Sequence, residues 1–360
     1  MTRIRKVLIE SFGDESQVKI VEADIAPPAR GEVQVAVEYS SFGGADVAMR
    51  KGLYPLQRKA PLTPGYGIVG TVAVNGAGSS RFAVGTRVAC LTVYDGQAEL
   101  ANVPERFLVA VPAGVDARQA VALVNEWVTA YQMVVRTARV QAGSRVFVHG
   151  LSGAVGQAIL TLAQRQRAQI YGTASSRNHA ALAALGVTPF VYTDKRWIDA
   201  MRKSGGVDAV FDPLGFDSFD ESESILRRGG VLVAYGMNGP GFARRARPRP
   251  ALLEFARVFA KNLKVWTGTR ATFYGVNRAS KHYLDDLATL FALLRDGAIA
   301  PAIKRVFALD DIREAHEAWA VDPGMGATVI AVQTARADSD QRLHGVDQRA
   351  HDRVEVARCE

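Results

Sequence analysis

The sequence predicts an α/β protein of two domains, a strand-rich one and one built on a doubly wound parallel sheet. Three observations carry that reading. Short alternating segments punctuated by glycine and proline fill residues 1 to about 122, and buried-strand runs separated by helical stretches follow. A glycine-rich turn joins the first of those buried runs to its helix. At 360 residues the chain is long enough to build two cores.

In chain order, Val18–Glu22 and Glu32–Val37 alternate apolar and polar residues at the period of half-buried strands. Gly31, Gly43-Gly44, Pro64-Gly65, Gly76 with Gly78, and Pro112 with Gly114 mark the turns between such strands. The rhythm changes near residue 120. Arg145–His149 is a buried-strand run, and a helical pattern extends from Val155 to Arg165. A strand at Gln169–Thr173 and a helix through Leu182 and Leu185 to Gly186 come next. Strands at Val207–Phe211 and Gly230–Ala234 continue the alternation. A further helix runs through Tyr283, Leu287, Leu290, Phe291 and Leu294, with Gly297 suited to its C-terminal cap. A last strand is expected at Thr328–Val332. These patterns divide the chain into 1–122, 123–268 and 269–333, the third part returning to the first domain. Residues 334–360, polar and poor in apolar side chains, read as a disordered tail.

Composition narrows the partners. Hydrophobic residues make up 48% and charged residues 22%, as in ordinary globular proteins. No run of eighteen apolar residues suggests a membrane span, and the first residues lack the pattern of a signal peptide, so a cytoplasmic protein without a membrane partner is expected. Cys90 and Cys359 are too few for a disulfide framework or a multi-cysteine zinc site. The net charge of +8 raises the question of nucleic acid. Its densest run, Arg244–Arg249, has no interleaved aromatics and fits no nucleic-acid motif, so no such partner is expected. A solvated loop explains the run; a site for an anionic cofactor or carrier is the other reading.

The most informative segment is His149-Gly150-Leu151-Ser152-Gly153-Ala154-Val155-Gly156, between a strand and a helix. Gly150 suits the tight turn, Gly153 lets a pyrophosphate approach the backbone, and Gly156 lets helix pack on strand. Ser152, Ala154 and Val155 place further backbone N–H groups at the helix start, where the helix dipole favours an anion. The next strand ends Thr173-Ala174-Ser175-Ser176-Arg177-Asn178, without the acid that binds the ribose hydroxyls of NAD. Ser175, Ser176 and Arg177 instead suit the 2′-phosphate of NADP. The plain alternative is a helix capped by Ser175 or Ser176 beside a surface arginine.

Together with Gly52-Leu53-Tyr54-Pro55, Pro64-Gly65-Tyr66-Gly67-Ile68-Val69-Gly70, Thr129-Ala130-Tyr131-Gln132, Asp212-Pro213-Leu214-Gly215 and Tyr235-Gly236, the glycine turn makes the chain resemble the medium-chain dehydrogenase/reductase superfamily. Within it, the chain is similar to the zinc-free quinone oxidoreductase and enoyl reductase branch. The resemblance spans roughly residues 5–332. It implies a GroES-like β-rich catalytic domain and a Rossmann domain that binds NADPH, with Gly150–Gly156, Thr173, Ser175–Arg177, Tyr235 and Gly236 at the cofactor. Zinc-dependent members carry a cysteine where this chain has Gly43 and His-Glu where it has Tyr66-Gly67, so no metal is expected.

The activity implied is hydride transfer from NADPH to a small electrophile, a quinone or an α,β-unsaturated carbonyl, followed by protonation from water or a tyrosine. Thr129 matches a position beside the nicotinamide. Tyr54 resembles a residue near the substrate pocket, Tyr66 stands where a zinc ligand would be, and Asn125 matches an asparagine found in some members. As packed aromatics, the two tyrosines need no catalytic role. Gly43 and Ala48 depart from the asparagine and tyrosine many relatives carry there. An enoyl-thioester reductase of fatty-acid or polyketide metabolism is the nearest alternative, and an NADPH-binding structural protein is the alternative of another class. Relatives commonly form homodimers through the edge of the Rossmann sheet.

Overall fold

The computed structural model describes residues 1–237, 251–319, 321 and 324–333. The basic run Arg244–Arg249 and the tail expected at 334–360 lie outside the described residues.

The strand-rich domain begins with β1 (Thr2–Ile9) and β2 (Val18–Ile25), an antiparallel pair. It continues with β3 (Glu32–Phe42), β4 (Gly67–Asn75), β5 (Arg87–Leu91), β6 (Leu100–Pro104) and β7 (Val109–Ala110). The second domain contains β8 (Arg145–His149), β9 (Gln169–Ala174), β10 (Thr188–Val191), β11 (Val207–Asp212), β12 (Leu226–Ala234) and β13 (Arg270–Phe273). The chain then returns through β14 (Ile303–Ala308) and β15 (Ala327–Ala331) to the first sheet, whose order is β14-β15-β3-β4-β5-β7 with β6 also on β3.

Apolar alternation explains the first sheet. Val33, Val35 and Val37 of β3 are fully buried, Ala36 and Glu38 only partly, and Gln34 is buried with its amide bonded to Asn102. β8 differs, because helices cover both faces of its sheet. Val146 and Val148 join the main core, whereas Phe147 points the other way, onto Trp197, Met201 and Phe219. Burying a phenylalanine of this kind contributes about 2–3 kcal/mol.

The second sheet is parallel, in the order β10-β9-β8-β11-β12-β13. Counted from β8, this is the 3-2-1-4-5-6 order of a dinucleotide fold, with the connections reversing direction between β8 and β11. Ligands bind beyond the carboxyl ends of strands at such a point. One expectation is corrected: β13 lies past residue 268 yet pairs with β12, so the parallel sheet extends beyond the boundary expected there. Four residues are too few to show a period, and it is the pairing with Val231–Ala234 that makes them a strand.

A helical segment from Ala117 to Thr137 links the domains. It alternates α-helical turns at Ala117–Ala122 and Val128–Tyr131 with π-helical ones at Leu123–Trp127 and Gln132–Thr137. Within the first π stretch the Val124 carbonyl accepts a hydrogen bond from the Tyr283 hydroxyl at 2.7 Å. Such widened turns recur at functional sites because they re-aim side chains. Asn125 and Glu126 sit in this one.

Candidate functional site

The turn after β8 meets each geometric demand placed on its glycines. Gly150 has φ +72°, which a residue with a Cβ adopts only with strain. A Cβ on Gly156 would lie 2.2 Å from the Gly150 carbonyl oxygen, so this helix packs against the turn at glycine distance. Gly153 begins the twelve-residue helix Ala154–Arg165 as its N-cap, with ordinary extended φ and ψ and only the Gly150 oxygen, at 3.4 Å, near its missing side chain. Its N-cap carries no side-chain hydrogen bond, which leaves the first N–H groups for a ligand. The C-terminal segment braces the turn from outside: Gly326 N donates to Ser152 O at 3.0 Å.

Beneath the turn runs a buried polar chain. Ser218 and Ser222 donate to Asp212 Oδ2, each at 2.7 Å, and Leu214 N donates to Asp212 Oδ1. Since the Ser222 hydroxyl is spent on Asp212, its oxygen accepts from His149 Nε2 at 3.1 Å. Nδ1 is then the acceptor for Thr173 Oγ1 at 3.1 Å. The Gly150 N–H reaches the same Thr173 oxygen at 3.4 Å. Burial holds the His149 imidazole below its usual basicity, so it stays neutral. Thr173, expected at the cofactor, therefore supports the turn from below.

Ser175, Ser176 and Arg177 follow β9 on a short 3₁₀ turn. The capping alternative is not realised, because Ser175 makes no side-chain cap bond there. Arg177 is exposed and has neither hydrogen bond nor ion pair with the described residues. Asn178 ties this turn to the glycine loop through a 2.8 Å bond from its amide to Ser152 Oγ. Tyr192, absent from the sequence reading, lies beside it: its N–H points to Ala174 O at 3.4 Å and its ring is half exposed. Tyr235 and Gly236 follow the end of β12, and Tyr235 N donates to Asp212 O at 3.0 Å, bringing both to the carboxyl end of the sheet. Burial raises the Tyr235 phenol well above its usual range.

The proposed substrate residues fall into two groups. Tyr54 and Tyr66 meet, hydroxyl to hydroxyl at 2.5 Å, with rings edge-on at 6.0 Å. Burial pushes both phenols upward, Tyr66 the more strongly, so they remain hydrogen-bond donors at neutral pH. Asn125 and Thr129 lie on the linking helix. Thr129 is buried close to the Tyr274 hydroxyl, which itself donates to Gln132 Oε1 at 2.7 Å. Gln132 passes on to Asp286, and Arg136 clamps that carboxylate.

Two further acids were not among the expected site residues. They are Asp46 and Glu126. A carboxylate within the apolar run Ala120–Val134 was the available signal for Glu126. Asp46 is buried, accepting from Gly43 N at 2.9 Å and Gln97 Nε2 at 3.2 Å. Burial lifts its carboxyl to about 7, against backbone hydrogen bonds from Gly43, Asp46 and Gly65. Glu126, only 5% exposed, is lifted by burial to about 8, with the Asp46 charge adding to the effect. Among the described residues no group of three or more His, Cys, Asp or Glu side chains is placed to hold a metal ion. No helix among them is long and apolar enough to cross a membrane.

Two family models match the chain: an alcohol dehydrogenase GroES-like domain over residues 29–130 and a zinc-binding dehydrogenase domain over 185–330. The human synaptic vesicle membrane protein VAT-1 homolog is 30% identical over 345 residues, covering 91% of this chain and 86% of that protein. Human quinone oxidoreductase is 27% identical over 333 residues, covering 90% and 96%. A mycobacterial protein solved in complex with NADPH superposes with a TM-score of 0.79 at 22% identity, covering 91% of this chain and all of the other. With a dinucleotide fold, a glycine turn built for close helix packing and glycine and tyrosine at the zinc-ligand positions, the chain belongs to the medium-chain dehydrogenase/reductase superfamily, in its zinc-free quinone oxidoreductase branch.

Proposed function

We propose that the chain is an NADPH-dependent, zinc-independent reductase acting on a quinone or an α,β-unsaturated carbonyl compound. The observation that carries the proposal is the paired Tyr54 and Tyr66 hydroxyls in a domain that packs against a glycine turn fit for a dinucleotide. The cofactor fits the residues present: open space at Gly150 and Gly153, uncapped N–H groups, and beside Ser175 an Arg177 with no partner among the described residues. Bound there, NADPH supplies the hydride.

The chain's residues do the rest. The N–H groups of residues 154–156 would hold the diphosphate, Arg177 with Ser175 and Ser176 would hold the 2′-phosphate, and the half-exposed Tyr192 ring would offer a face to the adenosine. In the tyrosine pair one O–H is spent on the other oxygen. The second is free to donate to the substrate oxygen as negative charge builds there. A pair of neutral donors stabilises that charge less than a metal ion would. Substrates that spread the charge over a conjugated system are therefore favoured. Thr129 and Asn125, on the linking helix, line the approach to the nicotinamide.

The working form is a homodimer. β13 is an edge strand, and Leu252, Phe259, Leu263, Val265 and Trp266, just before it, expose apolar side chains that a partner would cover.

NADPH oxidation, followed at its absorbance band against quinones, enones and enoyl thioesters, tests the function. Turnover of a quinone or enone with NADPH, and much less with NADH, is expected. Preference for a crotonyl thioester would transfer the assignment to the enoyl-thioester alternative. Cofactor binding with no turnover of any electrophile would overturn it in favour of a non-catalytic protein.

A further inference from the structure

Glu126 is unlike the other buried acids among the described residues. Asp46, Asp212 and Asp286 each accept several hydrogen bonds from donors around them. Glu126 Oε2 is buried with no hydrogen-bond partner. Its other oxygen lies 3.9 Å from where a side chain on Gly43 would begin, so it faces the gap that this glycine leaves. The backbone of that same Gly43 holds Asp46. The two acids therefore flank one small space, behind the Tyr54–Tyr66 pair, whose phenols both feel the Asp46 charge.

We propose that Glu126 stores the proton that completes the reduction and releases it across the gap at Gly43. This rests on the reductase reading above. The environments of the two acids divide the labour between them. Donors at Asp46 keep it the more acidic of the two, at about 7, whereas burial with one oxygen left unpartnered lifts Glu126 to about 8 and keeps it mostly neutral at pH 7. The titratable group acting on Glu126 is Asp46, on the helix Gly44–Arg50, and Glu126 in turn raises the buried Tyr283 phenol, on the helix Tyr283–Arg295. Tyr54 and Tyr66 both feel the Asp46 charge, and Tyr94 acts on that tyrosine pair. A backbone hydrogen bond at Glu126 and, more weakly, the Asn125 side chain work the other way, and no cation offsets the burial.

The chemistry balances. Hydride from NADPH bonds to the electron-poor carbon, and the conjugated π pair moves onto the carbonyl oxygen. The O–H bond of the Glu126 acid breaks, its proton bonds to that oxygen or to the α-carbon, and the bonding pair stays as carboxylate. Solvent then returns a proton to Glu126.

The test compares wild type with Glu126→Gln, Glu126→Asp and Asp46→Asn in steady-state reduction of a simple cyclic enone across pH, alongside infrared titration of the protein without cofactor. Wild-type kcat should fall tenfold per pH unit above about 8, because the acid form is the competent one. Glu126→Gln should lower kcat at pH 7 by about a hundredfold, abolish that limb and leave KM nearly unchanged. Glu126→Asp should restore part of the limb, and Asp46→Asn should move it to lower pH. In the infrared, a carboxylic-acid C=O stretch should be present at pH 7 with a component that titrates near pH 8, and Glu126→Gln should lose that component and keep only the one Asp46 contributes near pH 7. Wild-type rate and limb in Glu126→Gln would overturn the proposal, and so would the absence of that component from wild type, which needs no variant to fold. If the component is present but wild type reduces no electrophile, the reductase reading fails and the proton-storage role falls with it. Turnover with an unchanged Glu126→Gln sinks the role alone.

Discussion

Replacing the three glycines of the cofactor turn one at a time should give three different outcomes, because each meets different surroundings. In Gly156→Ala the new methyl would lie 2.2 Å from the Gly150 carbonyl oxygen and 2.9 Å from Leu151 Cα. Both are backbone atoms with no flexible end to yield. The helix Ala154–Arg165 must retreat by roughly 1 Å, dragging the buried Ala158, Ile159, Leu162 and Ala163 out of register. Overpacking of this kind costs about 1–3 kcal/mol, so the Tm should fall by several degrees and NADPH affinity with it. Gly150→Ala meets no atom within 4 Å, but its φ of +72° remains, and the left-handed conformation costs about 1–2 kcal/mol. Gly153→Ala has regular dihedrals and a single contact at 3.4 Å. It should leave the stability within about 1 kcal/mol of wild type, yet weaken NADPH binding by at least about tenfold, because its methyl occupies the face a pyrophosphate approaches. Thermal melts without cofactor and fluorescence titration with NADPH separate the three. A Gly153→Ala protein that binds NADPH as tightly as wild type would refute the assignment of this face to the pyrophosphate. An unshifted melt for Gly156→Ala would refute the packing argument.

Two other outcomes follow from single residues. Arg177→Ala should weaken NADPH binding by about ten- to a hundredfold, the worth of a charge-assisted phosphate contact, and leave NADH binding unchanged; equal losses for both cofactors would remove Arg177 from the 2′-phosphate. His316, 3% exposed and with neither ring nitrogen hydrogen-bonded to the described residues, is held by burial at about 3, with the neighbouring Arg50 charge acting the same way. The unfolded chain takes up this proton near pH 6.5 and the folded protein only near 3, so stability drops as pH falls through that window, by about 1.4 kcal/mol per unit. His316→Leu should therefore melt at or above the wild-type temperature at pH 7 and clearly above it at pH 5, and an equal or lower melt at pH 5 would contradict the burial argument.

Local information carried much of this protein. Period-two alternation located β2 and β3, the apolar run Arg145–His149 matched β8 residue for residue, and the helix through Tyr283 and Leu294 is followed by Gly297 at φ +67°, as its cap requires. The glycine turn was legible too, since tight turns and close packing demand glycine at particular spacings. What the sequence could not display was anything made of two distant segments. The strand order, the inclusion of Arg270–Phe273 in the parallel sheet, the Tyr54–Tyr66 contact and the histidine relay under Gly150 all depend on which surfaces meet. Glu126 shows the division most sharply. An acid in an apolar helical run was visible in the linear chain, but its unpartnered oxygen and its view of Gly43 and Asp46 exist only once that helix lies against the first domain. Propensity and spacing act over a few residues, whereas desolvation and hydrogen-bond satisfaction are set by neighbours that only the folded chain brings together.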